Sequence, residues 1–274
     1  MKFIPEKARI LEPGQAEGCW VVAAGRSIAV RNADGTLPHR EDFEWLERPE
    51  VVLASRAGEK CFYAVEIPGD IKLPEHLRFE DLRQCIHTLG KDCGAAVARA
   101  IEIGHWNKEH RFCGVCGKPT EICDASGARV CPSCHTEYFP RLSPAIIVRV
   151  THGDKILLAH NRGFNSARYS CIAGFVESGE TFEDCVHRET AEEVNILVKN
   201  IRYFGSQSWP FPHTLIAGFT AEYAGGELCP DGGEIDDAGW FTADSLPEIP
   251  PCGSISRELI DDFITKTSLK FARA

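Results

Sequence analysis

The sequence lacks the features that mark a membrane protein or a protein that coats nucleic acid. No stretch reaches the ~18 uninterrupted apolar residues of a membrane span. Residues 1–7 have no apolar core of the signal-peptide kind. Lys and Arg number 30 against 40 Asp and Glu, a net charge of −10, whereas binding along a phosphate backbone requires clustered positive charge. We therefore expect a cytoplasmic protein with no membrane association.

The composition is that of a folded, core-forming chain. Hydrophobic residues make up 43% and charged residues 26% of the 274 positions, and this length predicts about two domains. There are 13 cysteines, an odd number, and without a secretion signal they are expected to be thiols or metal ligands rather than disulfides.

Residues 1–108 predict a mixed α/β domain. Turn residues divide segments 20–31 and 51–67 into two predicted hairpins. The pattern becomes helical over 79–105, with a break at Gly90. This part carries no recognisable chemistry by itself, and we interpret it as a packing or dimerisation domain.

Two further parts follow in the chain. Residues 109–140 are short and rich in cysteine and glycine, and 141–274 return to regular strand and helix patterns. The predicted elements of this last part are a hairpin at 145–159, strands at 169–175, 201–204 and 215–223, and helices at 181–194 and 255–265.

The cysteine-rich part contains two CxxC pairs, formed by Cys113, Cys116, Cys131 and Cys134. Their separation by residues 117–130 is typical of a tetrahedral zinc site, and Gly114 and Gly117 ease the tight turns. Four protein ligands leave no open position, so we expect one structural zinc ion per chain. The alternatives are four unliganded thiols or a redox-active CxxC pair.

A helix starting after Thr181, with Asp184 completing a capping box, has an unusual inner face. The apolar positions of this face are Phe182, Cys185 and Val186. Continued at ~100° per residue, the same face carries Glu189, Glu192 and Glu193. Unpaired charges there are costly, and all-oxygen ligands favour Mg²⁺ or Mn²⁺. The alternative is a solvated acidic face on a helix that leaves the core.

Together with Gly174, Glu180 and Arg188, these glutamates spell G-x5-E-x7-R-E-x-x-E-E, which resembles the Nudix box. The resemblance implies an α+β protein with a Nudix α/β/α sandwich, a mixed α/β N-terminal domain and a zinc ribbon. The implied activity is hydrolysis of a nucleoside diphosphate linked to another group, with two to three Mg²⁺ or Mn²⁺ ions. The implied metal ligands are Glu189, Glu192, Glu193 and the carbonyl of Ala173.

The same resemblance assigns supporting roles and has two departures. Glu180 and Arg188 would pair to brace the loop, and Gly174 would allow close approach to the metals. Asn195 replaces the usual glycine after the helix, but Asn is the next-best residue for a left-handed position, which fits a helix end near residue 194. Thr190 replaces an aliphatic residue, which affects local packing more than chemistry.

Residues 206–214, SQSWPFPHT, resemble the S-Q-P-W-P-F-P-x-S signature of the NADH pyrophosphatase branch. Two prolines stiffen the segment, and its aromatic rings offer flat surfaces for a nicotinamide or adenine ring. The alternative is a rigid core loop, and Ser208 and Thr214 depart from the signature. The substrate-binding residues expected here are Gln207, Ser208, Trp209, Pro210, Phe211, Pro212, His213 and Thr214.

The resemblance to this branch adds further residues. Phe175 would stack on the substrate, and Glu234 would be a further metal ligand or base. Residues expected to approach the substrate from elsewhere are Arg83, Phe139 and Ser256. The branch also implies a homodimer.

The predicted function is metal-dependent hydrolysis of the pyrophosphate bond of NAD(H), which yields NMN(H) and AMP, with Glu192 or Glu234 as the base. One alternative is removal of the NAD cap from RNA 5′ ends by the same chemistry. An alternative of another class is a zinc-ribbon nucleic-acid-binding protein with an inactive hydrolase domain.

Overall fold

The computed structural model describes residues 2–47, 49–163 and 166–271, and the chain divides into two compact units. The first unit contains Met1–Arg141 and Pro210–His213, and the second contains Leu142–Trp209 and Thr214–Ala274. Within the described ranges, no helix has both the length and the apolar character that a membrane crossing requires.

In the residues described, the first unit contains a six-stranded sheet, two α-helices, two short 3-10 helices and a small three-stranded ribbon. Its strands and α-helices in chain order are β1 (Phe3–Leu11), β2 (Cys19–Ala24), β3 (Ser27–Arg31), β4 (Val51–Ala57), β5 (Lys60–Glu66), β6 (Leu77–Asp81), α1 (Leu82–Thr88), α2 (Lys91–Glu109), β7 (Glu121–Ile122), β8 (Arg129–Val130) and β9 (Glu137–Tyr138). The large sheet has the order β1-β4-β5-β2-β3-β6, and the ribbon has the order β7-β8-β9.

Helix α2 covers one face of the six-stranded sheet. Its side chains from Ala96 to Trp106 join the core built from alternate residues of the central strands, such as Val21 and Ile28. The opposite face buries Trp20 under Phe43, and the two rings are stacked. The sheet is therefore buried on both sides, which explains why its central strands are nearly continuous apolar runs.

Both predicted hairpins of the first unit are confirmed, since β2 pairs with β3 and β4 pairs with β5, each antiparallel. The helix break at Gly90 is also confirmed, because this residue has φ +77° and precedes α2. The prediction of helix from residue 79 was wrong, because Phe79 pairs with Ala29 as the edge strand β6. Asp81 ends that strand and caps α1.

The second unit contains a seven-stranded sheet between two helices. Its elements in chain order are β10 (Ser143–His152), β11 (Lys155–Asn161), β12 (Tyr169–Ser170), β13 (Ile172–Phe175), α3 (Phe182–Val194), β14 (Leu197–Trp209), β15 (Thr214–Gly225), β16 (Ile235–Thr242) and α4 (Ile255–Phe271). The central path is β12-β11-β10-β15-β14, with β13 paired to β10 and β16 paired to β11.

Alternate residues of β10 face the two helices. Ile146 and Val148 join the core beneath α3, and Ile147 joins the core beneath α4. The second unit is thus an α/β/α sandwich, as the Nudix resemblance implies. The single strand predicted over 169–175 is divided, because β12 pairs with β11 whereas β13 pairs with β10.

Candidate active site

Helix α3 begins and ends as its sequence predicts. The Thr181 hydroxyl accepts a hydrogen bond from the Asp184 N–H at 3.1 Å, and the Asp184 carboxylate accepts from the Thr181 N–H, so the capping box is complete. Asn195 has φ +56° and ends the helix in the left-handed conformation. The buried Thr190 hydroxyl donates to the Val186 carbonyl at 2.9 Å, which satisfies it in place of the usual aliphatic residue.

Arg188 is the centre of a hydrogen-bond network at the start of this helix. Its Nε and Nη2 donate to the two carboxylate oxygens of Glu180 at 2.6 and 2.9 Å, a bidentate pair, and Nη2 also donates to the Phe175 carbonyl. The guanidinium lowers the pKa of Glu180 to about 2. The loop before α3 is therefore tied to the helix by the pair that the resemblance to the Nudix box implies.

Two of the three box glutamates are buried. Glu189 and Glu193 are 9% and 6% exposed, and burial raises the pKa of both, that of Glu193 to about 8. The charge of Glu189 adds to this increase at Glu193. The Glu193 Oε2 atom is buried without a hydrogen-bond partner in the described part of the chain. A buried oxygen of this kind is costly unless a cation or a proton joins it.

Glu192 differs from its neighbours. Its side chain is 61% exposed, and its Oε2 accepts a hydrogen bond from Arg188 Nη1 at 3.0 Å. The same Nη1 donates to Glu189 Oε1 at 2.8 Å. Glu192 therefore lies beside Glu189, as expected, but at the exposed rim and not in the buried part of the face.

Gly174 on β13 lies directly against the Glu189 carboxylate. A β-carbon at residue 174 would lie 1.9 Å from Glu189 Oε1 and 2.0 Å from its Cδ. Only glycine leaves room for the carboxylate here, which gives a physical reason for the first position of the box. Ala173, the candidate carbonyl ligand, precedes it and pairs with Ile147 of β10.

Glu234 is presented by a tight turn that sequence reasoning did not single out. The Asp231 carboxylate accepts from the backbone N–H groups of Glu234 and Ile235 at 3.0 and 2.8 Å. Asn161 Nδ2 then donates to Glu234 Oε1 at 3.0 Å. The charge of Glu234 helps to raise the pKa of both Glu189 and Glu193, so it lies near them. The Asp-Gly-Gly run before Glu234 is the signal that could have identified this turn.

These residues fit a hard divalent cation. The donors are carboxylate oxygens, one buried oxygen lacks a partner, and Gly174 leaves space at the carboxylate of Glu189. Mg²⁺ and Mn²⁺ prefer such oxygen ligands. In residues 2–47, 49–163 and 166–271, the oxygens of these carboxylates do not come as close to one another as the sulfurs of the four ribbon cysteines do. One reason is that Arg188 binds one oxygen of Glu189 and one of Glu192.

The four ribbon cysteines converge as a zinc site requires. Their Sγ atoms all lie within 4.8 Å of one another, and Cys113–Cys134 and Cys116–Cys131 are each 3.5 Å apart. A tetrahedral site with Zn–S bonds of ~2.3 Å places its sulfurs ~3.8 Å apart. The Tyr138 hydroxyl lowers the pKa of Cys113 to about 5, which favours the thiolate that zinc binds.

The two knuckles of this site turn in the same way. Gly117 and His135 follow the CxxC pairs with φ +71° and +59°, and their N–H groups donate to the carbonyls of Cys113 and Cys131. Gly114, which the sequence also suggested as a turn residue, is not among the positive-φ residues.

The predicted substrate-binding residues of the second unit differ in accessibility. Phe175 is 53% exposed, and Ser208 is also exposed, whereas Thr214 is buried at 4%. The Gln207 amide accepts from the Ile255 N–H and donates to the Gly253 carbonyl, so it braces the segment before α4. Ser256 is 6% exposed and shares a hydrogen bond with the Ser170 hydroxyl at 2.8 Å. Trp209 is half-buried at the end of β14.

The other predicted substrate residues lie in the first unit. Phe139 follows β9 and is 53% exposed, and Arg83 lies on α1. Its guanidinium carbon is 4.9 Å from the centre of the Phe211 ring, and that of Arg26 is 5.3 Å from it. The remaining members of the segment assigned to this unit are Pro210, Pro212 and His213. Arg26 was not predicted, and no motif in the sequence marks it.

A sandwich whose box helix buries two carboxylates, preceded by a four-cysteine ribbon, defines a metal-dependent hydrolase of the Nudix class. The family model for the NUDIX domain matches residues 140–263, and that for the NADH pyrophosphatase zinc ribbon domain matches residues 108–139.

Curated relatives match over nearly the whole chain. The NAD-capped RNA hydrolase NudC of Stutzerimonas stutzeri (strain A1501) is 40% identical over 267 residues, which cover 95% of this chain and 94% of that protein. The protein of the same name from Pseudomonas syringae pv. tomato (strain ATCC BAA-871 / DC3000) is 48% identical over 259 residues, covering 93% and 92%. A solved NUDIX hydrolase from Nitrosomonas europaea is 24% identical with a TM-score of 0.48, covering 59% of this chain and 93% of that one.

The chain therefore belongs to the Nudix hydrolase family, in the branch that carries the NADH pyrophosphatase zinc ribbon. It is an enzyme, and the resemblance stated from the sequence is confirmed. The alternative of a nucleic-acid-binding protein with an inactive hydrolase domain loses its basis, because the box carboxylates are in place and the relatives are hydrolases.

Proposed function

We propose that the enzyme hydrolyses the pyrophosphate bond of NAD(H), releasing AMP and NMN(H). The observation that carries this proposal is the buried pair Glu189 and Glu193, with one oxygen that has no partner in the described residues, within a chain that also has the NADH pyrophosphatase ribbon. In the reaction, water attacks one phosphorus atom, the bond from that phosphorus to the bridging oxygen breaks, and the two mononucleotides leave.

The chain's own residues would hold the cations and handle the proton. Glu189 and Glu193 would be the principal ligands, with Glu192, Glu234 and the Ala173 carbonyl completing the set. Bound Mg²⁺ or Mn²⁺, two to three ions, supplies charge neutralisation at the diphosphate and lowers the pKa of a bound water. Arg188 and Glu180 would hold the box loop in position through their bidentate pair.

Glu192 and Glu234 are the candidates for the general base that takes the proton of the attacking water. Both are exposed at the rim of the cluster. Asn161 holds one oxygen of Glu234, and Arg188 holds one oxygen of Glu192, so each carboxylate is oriented and keeps a second oxygen. Replacing the base with Gln should lower kcat while Mn²⁺ affinity falls less than in Glu189→Gln or Glu193→Gln, which separates the base from a principal ligand.

Removal of the NAD cap from RNA is a second candidate function. It is favoured by the name NAD-capped RNA hydrolase that relatives 40% and 48% identical to this chain carry. The bond cut is the same, and the product would be RNA with a 5′ monophosphate in place of AMP.

Substrate contacts beyond the carboxylates belong to the same proposal. Phe175 directly follows Gly174 in the box and its ring is 53% exposed, and Trp209 and Phe211 offer further flat surfaces for a base. Arg83, Phe139, Ser256 and the rest of 206–214 remain predicted contacts. The proposal also includes one structural zinc ion per chain, a homodimer and a cytoplasmic location. It divides the chain into domains at 1–108, 109–140 and 141–274.

The test is a substrate panel with product analysis. Wild-type enzyme is incubated with NADH, NAD⁺ or NAD-capped RNA and either Mg²⁺ or Mn²⁺, and the products are separated by chromatography. We expect AMP with NMN or NMNH from the dinucleotides, and a loss of about two orders of magnitude or more in kcat for Glu193→Gln. The exposed Glu183→Gln on the same helix should keep wild-type activity. Absence of dinucleotide and cap hydrolysis, or full activity of Glu193→Gln, would overturn the proposal.

A further inference from the structure

A polar cavity lies on the α4 side of the second unit, on the face of the sheet opposite the box helix. Its volume is about 330 Å³. Its charged and hydroxyl-bearing lining residues are Arg149, Thr151, Lys266 and Thr267. None of the roles proposed above uses these residues.

Arg149 is a buried cation in the middle of a strand. It lies on β10 between Val148 and Val150, which both face the α3 side, so its side chain points to the α4 side. The side chain is 8% exposed. Its Nη1 donates to the Leu259 carbonyl and to the Asp262 carboxylate, whereas its Nε is buried without a partner within the described residues. A buried guanidinium with an unused donor is normally completed by an acceptor.

The charges around Arg149 leave the cavity positive. Asp262 accepts from Arg149 and also from Lys266 Nζ at 2.9 Å, so one carboxylate faces two cations. The Lys266 side chain is 61% exposed, which places its charge where a ligand can reach it. A local excess of one positive charge in a chain with a net charge of −10 is a specific feature of this cavity.

Thr267 adds a hydroxyl donor. The residue is 9% exposed, and its side chain makes no hydrogen bond in the part of the chain that the structure describes. The Thr151 hydroxyl, in contrast, already donates to the Ala221 carbonyl at 3.3 Å. A guanidinium, an ammonium and a free hydroxyl around one space are the donors that hold a phosphate group in proteins.

We propose that this cavity binds a phosphate group, either as inorganic phosphate or as the phosphomonoester of a mononucleotide. Its volume is at the lower end of the range for small-molecule sites and is sufficient for either. The site is separate from the box and requires no divalent cation, so it does not depend on the proposed hydrolytic function.

The test is calorimetric titration of inorganic phosphate into the zinc-loaded enzyme without added Mg²⁺ or Mn²⁺. We expect one saturable site that Lys266→Met weakens about tenfold and Thr267→Val weakens less. Lys199→Met, which removes an exposed lysine elsewhere on the same unit, should leave the affinity unchanged. Because Lys266 is exposed, its variant should fold normally, which its thermal unfolding curve would check.

A second readout reports on Arg149 itself. In a ¹⁵N-labelled sample, the Arg149 Nε–Hε signal, assigned by its loss in Arg149→Lys, should move as phosphate is added. If AMP competes with phosphate but adenosine does not, the phosphate group is the part of the ligand that the cavity recognises. Whichever of AMP and inorganic phosphate binds with the lower Kd is then the preferred ligand.

A Kd weaker than about 10 mM for both phosphate and AMP would overturn the proposal. So would equal weakening by Lys266→Met and Lys199→Met, or an Arg149 signal that stays in place at saturation. Each of these outcomes would leave the substrate panel of the proposed function unaffected.

Discussion

Gly174 and Glu189 are in such close contact that a β-carbon on residue 174 would lie 1.9 Å from Glu189 Oε1. Strand β13 therefore forms a wall against which the Glu189 carboxylate is fixed. Arg188 Nη1 holds the same oxygen at 2.8 Å. The carboxylate of Glu189, a candidate metal ligand, is thus positioned by the absence of a side chain at Gly174 on β13 and by the guanidinium of Arg188 on α3.

Gly174→Ala should displace the Glu189 carboxylate and lower kcat by about 100-fold, since shifts of ~1 Å at a catalytic group cost this much. The fold should survive, because a carboxylate side chain moves more easily than a strand. Gly205→Ala is the matched control: it is also in a strand of the second unit, and an added β-carbon meets nothing within 4 Å. Wild-type activity in Gly174→Ala would show that the close contact has no role in catalysis.

Glu180→Gln should weaken the bracing of the box loop. The substitution removes the charge that pairs with Arg188 but keeps the shape, and loss of a partner that orients metal ligands costs 10–100-fold in metal affinity or activity. The readout is the Mn²⁺ dependence of initial rates. Glu177→Gln, an exposed change in the same loop, should have no effect. The role of the pair is contradicted if both variants behave alike.

The stability of the protein without Mg²⁺ or Mn²⁺ should fall as pH rises toward 8. Burial raises the pKa of Glu193 from 4.5 to about 8, so between these values the folded chain holds a proton that the unfolded chain has lost. The folded state is therefore favoured at the lower pH and loses this advantage as pH rises through the folded pKa. The measurement is Tm against pH in metal-depleted buffer that retains the zinc.

Over the same pH range, the Tm of Glu193→Gln should fall by a few degrees less than the Tm of the wild type. This difference corresponds to a change of about one to two kcal/mol in the free energy of unfolding. Glu183→Gln should keep the wild-type slope, because that side chain is exposed. A wild-type slope in Glu193→Gln would place the titrating group elsewhere.

Cys116→Ser should remove the zinc ion and unfold the ribbon. This short segment relies on metal binding for its folding free energy, and its sheet consists of two-residue strands. Zinc content by elemental analysis should fall from about one per chain to near zero. Cys229→Ser, another exposed thiol, should retain zinc. Full zinc content in Cys116→Ser would exclude the four-cysteine site.

Much of the site could be predicted from sequence because its signals are local. The Thr181–Asp184 capping box and the left-handed Asn195 follow from the residue types and spacing at the two ends of one helix, whereas the bidentate pair of Glu180 with Arg188 is what the resemblance to the Nudix box implies. The exposure of Glu192 could not be predicted in this way, because the rotation of residues around a helix does not tell which of them are covered by the neighbouring strand.

Features that depend on contacts distant in sequence were missed. Strand β1 is largely exposed and takes its place in the sheet by pairing with β4. Strand β16 contains Asp and Gly residues that disfavour strands, but seven of its residues pair with β11, from Thr242 with Lys155 to Ile235 with Asn161. The burial of Arg149 could likewise not be predicted from neighbouring residues in the sequence, since its partner Asp262 is on α4.

The most direct test of the central claim is a crystal structure of the enzyme with Mn²⁺ and AMP, with manganese located by anomalous scattering. We predict manganese peaks at ~2.2 Å from carboxylate oxygens of Glu189 and Glu193, and loss of these peaks in Glu193→Gln. Manganese bound only at other residues, with Glu189 and Glu193 directed away from it, would contradict the account.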